Sequence, residues 1–181
     1  MSEPTGAGHR VVVMGVSGCG KSTVGALAAQ DLGGTFLDGD ALHPQANIDK
    51  MAAGQPLDDG DREPWLREIG ERLSSAAPGE TLVIACSALK RSYRDLIRAA
   101  APRAVFVHLH GSRALLRERM EDRPGHFMPS SLLDSQLATL EELETDEAGR
   151  VFDIAAGPAE IAQTAAAWLG QISRSSSATE G

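Results

Sequence analysis

The stretch of residues 11–23, VVVMGVSGCGKST, decides the fold. Its three consecutive valines predict a short strand buried on both faces, because a strand inside a parallel sheet is apolar without alternation. Residues 15–22 then fit the pattern G-x-x-x-x-G-K-[ST]. A strand before this pattern and a helix after it form the context that indicates a phosphate-binding loop.

The residue types of this loop suit a triphosphate. Glycines allow the backbone to curl until several N–H groups point inwards, and the N-terminus of the following helix adds a favourable dipole. Lys21 would reach the β- and γ-phosphates of ATP, and Ser22 would offer its hydroxyl to Mg²⁺. The competing interpretation is a glycine-rich turn after a strand. Cys19 is interpreted as a small side chain that fits the loop, the alternative being a reactive thiol.

Composition narrows the class of protein. The chain has 181 residues, which predicts one domain. A net charge of −8 argues against a nucleic-acid partner, because such affinity depends on clustered Lys and Arg. No apolar run approaches the roughly 18 residues of a membrane span. The two cysteines have no metal-site spacing, so neither zinc nor a disulfide framework is expected and the cytoplasm is the predicted setting.

Apolar stretches alternate with helical patterns along the chain. Strands are predicted at residues 10–14, 35–37, 81–85, 104–109 and 151–155. Helices are predicted at residues 22–32, 44–53, 89–100, 112–122, 130–140 and 158–170, with one more that Asp61 would cap. This alternation predicts an α/β fold of three layers with a five-stranded parallel sheet. Residues 10–171 would form the domain, and the polar segments 1–9 and 172–181 are expected to be disordered.

Two carboxylates follow the second strand, in FLDGDALHP. Ligands in such sheets lie beyond the carboxyl ends of the strands. Asp38, near the phosphate loop, could hold a water of the Mg²⁺ shell, while Asp40 could accept the proton of an attacking hydroxyl. The alternative is a turn in which an aspartate caps the next helix.

Two pairs of cations are spaced four residues apart. Lys90 and Arg94 follow the third strand, where helical spacing would put them on one face; the alternative is a solvated helix face. Arg119 and Arg123 precede the loop PGHFMP and suit a lid that closes over phosphates. The alternative for the second pair is surface arginines that favour a helix C-terminus.

Three longer segments carry a family resemblance. Residues 38–66, 86–98 and 123–144 resemble the gluconate kinase family of small P-loop kinases. The resemblance implies a nucleoside monophosphate kinase-like fold with strand order 2-3-1-4-5, a substrate-side helical insertion at about 41–78 and a lid at about 119–130. It also implies phosphorylation of D-gluconate at its 6-hydroxyl by ATP with Mg²⁺, giving 6-phospho-D-gluconate and ADP, and a homodimer.

The resemblance also assigns roles to residues. Catalysis would use Lys21, Asp40, Arg119 and Arg123, and the metal would be held by Ser22 and Asp38. The predicted nucleotide-binding residues are Gly15, Val16, Ser17, Gly18, Cys19, Gly20, Lys21, Ser22, Thr23, Arg119 and Pro158. The predicted substrate-binding residues are Asp40, His43, Asn47, Lys50, Arg62, Ser87, Lys90, Arg94, His126 and Gln136.

The sequence alone leaves other functions possible. One is a kinase for a different sugar acid or polyol, which would share the phosphate loop. Another is a nucleotide-binding regulator without transfer chemistry. The polar groups at residues 40–50 and 87–94 argue against a pure regulator, which would not need them.

Overall fold

A computed structural model of the chain describes residues 8–121 and 130–178. Within these ranges five strands form one parallel sheet in the order β2-β3-β1-β4-β5, which confirms the predicted fold. The strands are β1 Arg10–Met14, β2 Thr35–Asp38, β3 Leu82–Ala85, β4 Val105–His110 and β5 Gly149–Asp153. The helices are α1 Lys21–Asp31, α2 Gln45–Ala52, α3 Asp59–Ser74, α4 Arg91–Ala100, α5 Arg113–Glu121, α6 Ser130–Thr139 and α7 Pro158–Ala178.

The central strand β1 divides the core between the two faces of the sheet. Val11 and Val13 belong to a cluster with residues of α1 and α7. Val12 and Met14 belong to a second cluster, with residues of α3 and α4. All four side chains are at most 1% exposed. The unbroken apolar run therefore reflects a strand covered by helices on both faces, which is the three-layer arrangement.

The start of α3 differs from the prediction. Asp58, not Asp61, is the N-cap, and its side chain accepts a hydrogen bond of 2.7 Å from the Asp61 N–H. Asp61 in turn accepts a bond of 3.0 Å from the Asp58 N–H, which completes a capping box. The helix therefore begins three residues earlier than expected, and Asp61 lies in its first turn.

The last helix extends further than the sequence predicted. α7 continues to Ala178, whereas the domain was expected to end at residue 171. A helix that is already formed extends at little cost, and serine is only moderately unfavourable within it. Most of the predicted lid, with Arg123 and His126, lies outside the described residues. In the part of the chain that the structure describes, no helix is both long enough and apolar enough to cross a membrane.

A histidine lies in the middle of the sheet. His108 on β4 has no exposed surface, and neither ring nitrogen has a hydrogen-bond partner among the described residues. Burial is the main cause that lowers its pKa to about 4, and the neighbouring side chains of His110, Arg94 and Lys21 contribute in the same direction. The imidazole is therefore neutral in the folded protein at neutral pH.

We expect His108 to make stability depend on pH. As pH falls below about 6.5 the unfolded chain binds a proton that the folded chain takes up only near pH 4, so the free energy of unfolding decreases over this window. The full loss would be about 3 kcal/mol and complete below pH 4. Urea unfolding of the wild type and of His108→Leu between pH 4 and 7.5 measures it. The two pH profiles should diverge, and parallel profiles would refute this account.

Candidate active site

The phosphate loop, residues 15–22, has the backbone that its glycines predict. Gly15, Gly18 and Gly20 have φ angles of 145°, 86° and 87°, which L side chains rarely adopt. At Gly18 a Cβ would also lie 2.6 Å from the Met120 Cγ and 2.9 Å from the Leu116 carbonyl oxygen. The loop therefore curls against α5, and it leads directly into α1.

Lys21 lies inside the curl of this loop. Its Nζ donates hydrogen bonds to the carbonyl oxygens of Gly15, at 2.9 Å, and Val16, at 3.1 Å. The Sγ of Cys19 is 3.8 Å from the same ammonium. Cys19 is 1% exposed and belongs to the hydrophobic core, the environment of a small packing side chain. The ammonium is thus held by weak neutral acceptors that a phosphate could replace.

Two side chains whose oxygens could bind a metal ion meet at the end of β2. The Ser22 hydroxyl donates to Asp38 Oδ2 at 3.3 Å, and Asp38 Oδ1 accepts from the Asp40 N–H at 3.0 Å. Mg²⁺ in kinases is typically bound by one or two protein oxygens together with phosphate oxygens and water. The hydroxyl and carboxylate fit this requirement. Asp40 is exposed and lies in the 3-10 turn Gly39–Leu42.

A cleft of about 280 Å³ opens beside the loop. It brings together Arg119 from α5 and Pro158 from the start of α7, two residues that are distant in sequence. Its lining is Gly18, Cys19, Gly20, Thr23, Val24, Arg119, Pro158 and Ile161. Arg119 donates to the Ile154 carbonyl oxygen at 2.5 Å, which fixes its guanidinium at the cleft. Six of the predicted nucleotide-binding residues therefore share one cavity.

Gln136 connects α6 to the phosphate loop. Its Oε1 accepts a hydrogen bond of 2.6 Å from the Ser17 N–H. The sequence predicted Gln136 to be a substrate-binding residue. The structure instead places its amide at the phosphate loop.

A second cluster, which we call the carboxylate clasp, consists of Asp59, Arg62, Lys90 and Tyr93. The Asp59 carboxylate accepts from the Tyr93 hydroxyl at 2.5 Å and lies 3.3 Å from Lys90 Nζ and 4.0 Å from Arg62. Arg62 also donates to the Tyr93 hydroxyl at 3.3 Å. The bonds from Tyr93 and Lys90 lower the pKa of Asp59, and the bond to Asp59 raises the pKa of Lys90. Asp59 and Lys90 are therefore both ionised at neutral pH.

The insertion carries a third group of polar side chains. Lys50 binds Asp61 at 2.6 Å, and the Asn47 side-chain amide donates to the Asp61 carbonyl oxygen at 2.9 Å. His43 lies 3.2 Å from the same amide and stacks on Trp65 with ring centroids 4.0 Å apart. Burial lowers the pKa of His43, although the Asp40 carboxylate works in the opposite direction. These residues fix α2 against the start of α3.

Arg94 does not line the site, contrary to the prediction. Its side chain is 0% exposed and forms an ion pair with Glu147, whose side chain is also fully buried. Lys90 is the N-cap of α4 and has extended backbone, so the spacing of four residues does not put the two cations on one helix face. Ser87, in contrast, lies beside the phosphate loop, since its carbonyl oxygen accepts a bond of 3.2 Å from the Gly15 N–H.

Four residues of these clusters were absent from the predicted site: Asp58, Asp59, Asp61 and Tyr93, of which Asp61 was assigned only a capping role. The three aspartates stand in the run LDDGDR, where any of them could be a cap. Tyr93 is the one tyrosine of the chain and follows Lys90 by three residues. Its position could have identified Tyr93 as a candidate site residue, because a phenol near the end of a strand can donate a hydrogen bond to a ligand.

Comparison with known proteins identifies the family. The family model described as AAA domain matches residues 11–143. A gluconokinase from Gluconobacter oxydans (strain 621H) is 52% identical over 138 residues, which cover 76% of this chain and 78% of that protein. The chain belongs to the gluconokinase family. It is therefore a kinase, and its phosphate loop is that of a P-loop nucleotide-binding domain.

Solved structures agree with membership of the gluconokinase family. The crystal structure of a gluconokinase from Sinorhizobium meliloti 1021 superimposes with a TM-score of 0.86 at 51% identity, covering 96% of this chain and 98% of that one. The APS kinase CysC of Mycobacterium tuberculosis superimposes with a TM-score of 0.65 at 20% identity, covering 91% and 99%. The second likeness shows the fold alone.

Proposed function

We propose that the protein transfers the γ-phosphoryl group of ATP to the 6-hydroxyl of D-gluconate, giving 6-phospho-D-gluconate and ADP. The observation that carries this proposal is the carboxylate clasp on the substrate side of a P-loop. Two cations and a phenol there already hold one carboxylate, that of Asp59. The same donors would suit the carboxylate of an aldonate, and the family to which the chain belongs supports gluconate itself.

The chain's own residues would act mainly by placement and by charge neutralisation, as in other phosphoryl transfers. The phosphate loop and Lys21 would hold the β- and γ-phosphates, and Arg119 would face the nucleotide from the cleft. The bond from O6 to the γ-phosphorus forms as the bond to the β,γ-bridging oxygen breaks. Asp40 would accept the proton of the 6-hydroxyl, and Arg123, from the predicted lid, would face the transferring group.

We propose Mg²⁺ as the metal, held through the Ser22 hydroxyl and, directly or through water, the Asp38 carboxylate. Their separation of 3.3 Å at the strand end suits oxygen ligation of a small divalent ion. When bound, Mg²⁺ neutralises charge on the β- and γ-phosphate oxygens. Asp38 would also orient Asp40, because it accepts the Asp40 N–H.

Further parts of the proposal concern the cellular setting, the partners and the position of the adenine base. The protein would work in the cytoplasm, as the cysteine pattern predicted, and as a homodimer, as the family resemblance implied. It would bind neither nucleic acid nor membrane, consistent with a net charge of −8. The adenine base would lie near Pro158, which lines the cleft.

Coupled measurement of ADP release tests the proposed reaction. The purified chain would be supplied with ATP, Mg²⁺ and one acceptor from a panel of aldonates, matched neutral polyols and aldoses, with water as the control acceptor. Gluconate should give the highest kcat/KM. Higher kcat/KM with another acid or a polyol would favour the first alternative function, and turnover no faster than with water would favour a regulator.

Lys90→Met tests recognition of the carboxylate. Because the clasp would lose one cation, the KM for gluconate should rise by about 10- to 100-fold, the effect of losing one charged hydrogen bond. The KM for ATP should stay within about twofold, since Lys90 does not line the nucleotide cleft. Steady-state kinetics with each substrate varied in turn measures both constants.

Arg67→Met is the matched control for Lys90→Met. Arg67 is an exposed cation that pairs with Glu63 at 2.7 Å on α3, outside the clasp. Its loss should leave both KM values unchanged. An unchanged KM for gluconate in Lys90→Met would remove Lys90 from the substrate site.

A further inference from the structure

The buried ion pair between Arg94 and Glu147 also holds a loop. Arg94 donates to the two carboxylate oxygens of Glu147, Nε at 2.7 Å and NH2 at 3.1 Å. Its NH1 donates to the carbonyl oxygens of Ala88, at 3.0 Å, and Leu89, at 3.3 Å. Buried backbone carbonyls need such partners. One side chain therefore satisfies two consecutive peptide groups between β3 and α4.

These peptides belong to the loop of residues 86–90, which we call the Ser87 loop. Ala88 at its centre has a φ of 43°, a left-handed conformation that alanine adopts only when its surroundings hold it there. The Ser87 carbonyl accepts from the Gly15 N–H, and Lys90 at the other end belongs to the carboxylate clasp. The Ser87 loop thus contacts the phosphate loop at one end and contributes Lys90 to the carboxylate clasp at the other.

Glu147 ties this arrangement to the segment after α6, residues 140–148. Burial would raise the pKa of Glu147, but hydrogen bonds from Arg94, the Glu144 N–H and Arg98 lower it to about 2. The Glu141 N–H donates to the Leu89 carbonyl at 2.7 Å, and Glu141 Oε1 accepts from the Arg91 N–H at 3.0 Å. The segment that follows α6 is therefore bound both to the Ser87 loop and to the start of α4.

We infer that Arg94 is a positioning residue for the acceptor. It is excluded from the substrate pocket, but through the Ala88 and Leu89 carbonyls it fixes where Ser87 and Lys90 stand relative to the phosphate loop. Glu147 orients its guanidinium for this task. This inference rests on the proposed function for its effect on gluconate, and on the geometry alone for its effect on the loop.

Arg94→Lys is the variant that tests it. Lysine keeps the positive charge opposite Glu147, but its three N–H groups cannot replace the four bonds that Arg94 makes to the two carboxylate oxygens and the two carbonyls. The KM for gluconate should rise by about tenfold or more, with the KM for ATP within about twofold. Amide hydrogen exchange in residues 86–91 should become at least about tenfold faster. Both are measured on the full chain, and thermal unfolding reports the loss of stability.

Arg98→Met is the matched control. Arg98 binds the same Glu147 oxygen at 2.8 Å but makes none of the bonds to the Ser87 loop. It should lower the melting temperature without changing the KM for gluconate or exchange in residues 86–91. Equal effects of the two variants, or a normal KM and normal exchange in Arg94→Lys, would overturn the inference. If the wild type fails to phosphorylate gluconate, the proposed function fails instead, and the exchange comparison still decides whether Arg94 holds the loop.

Discussion

Lys21→Ala should lower kcat for gluconate phosphorylation by at least about 10³-fold. The ammonium is the positive side chain at the centre of the phosphate loop, and among the described residues it bonds neutral acceptors, the Gly15 and Val16 carbonyls and the Cys19 sulfur. It would exchange these bonds for phosphate oxygens, whose charge increases as the bond to the leaving group breaks. Removing it therefore raises the energy of the transition state more than that of bound ATP.

The fold should survive this substitution. Two hydrogen bonds to a partly buried loop are lost, which would cost about 1–3 kcal/mol and lower the melting temperature by several degrees. Circular dichroism and thermal unfolding check this, and Arg67→Ala serves as the matched loss of one exposed cation. Turnover of Lys21→Ala within about tenfold of the wild type at saturating ATP would refute the role of the loop.

The phosphate loop was predictable because its cause is local. Positive φ angles at Gly15, Gly18 and Gly20 need glycine, so the requirement is written into the sequence at fixed spacing. The strand before it was predictable for a similar reason, since a strand buried on both faces leaves no place for polar residues. The order of the strands, however, was implied by the family resemblance and not by any local pattern.

The role of Arg94 was not predictable from spacing. Its partner Glu147 lies 53 residues further along the chain, and no periodicity connects the two. The inference that Lys90 and Arg94 share a face assumed that both belong to the helix, but α4 begins at Arg91. In a sequence, a buried arginine cannot be distinguished from a solvated one until the position of its partner carboxylate is known.

The start of α3 shows a different limit of prediction from the sequence. Asp58 and Asp61 each accept a bond from the other's backbone N–H, and the sequence alone does not say which of these aspartates stands at the N-cap. Which of them remains free to bind Lys50 depends on how α2 packs against α3, and this contact joins residues eleven positions apart. Tertiary packing of the insertion therefore decides which carboxylate pairs with Lys50.

Asp40→Asn should lower kcat by about 10²- to 10⁴-fold, the usual contribution of a general base. Asparagine keeps the size of the side chain and the backbone N–H that donates to Asp38, so the local geometry should persist. It cannot accept the proton of the 6-hydroxyl. The affinity for ATP, measured by calorimetry without acceptor, should stay within about twofold, because Asp40 does not line the nucleotide cleft.

Two further variants distinguish a role of Asp40 as general base from a role in the metal site. Asp38→Asn should raise the Mg²⁺ concentration needed for half-maximal rate, because Asp38 meets Ser22 at the proposed metal position, whereas Asp40→Asn should not. Asp49→Asn, an exposed aspartate of α2 that binds only Gln45 among the described side chains, should leave all constants unchanged. If Asp40→Asn instead weakened ATP binding or shifted the Mg²⁺ dependence while kcat at saturation stayed normal, Asp40 would belong to the metal site, and the base would have to be sought elsewhere.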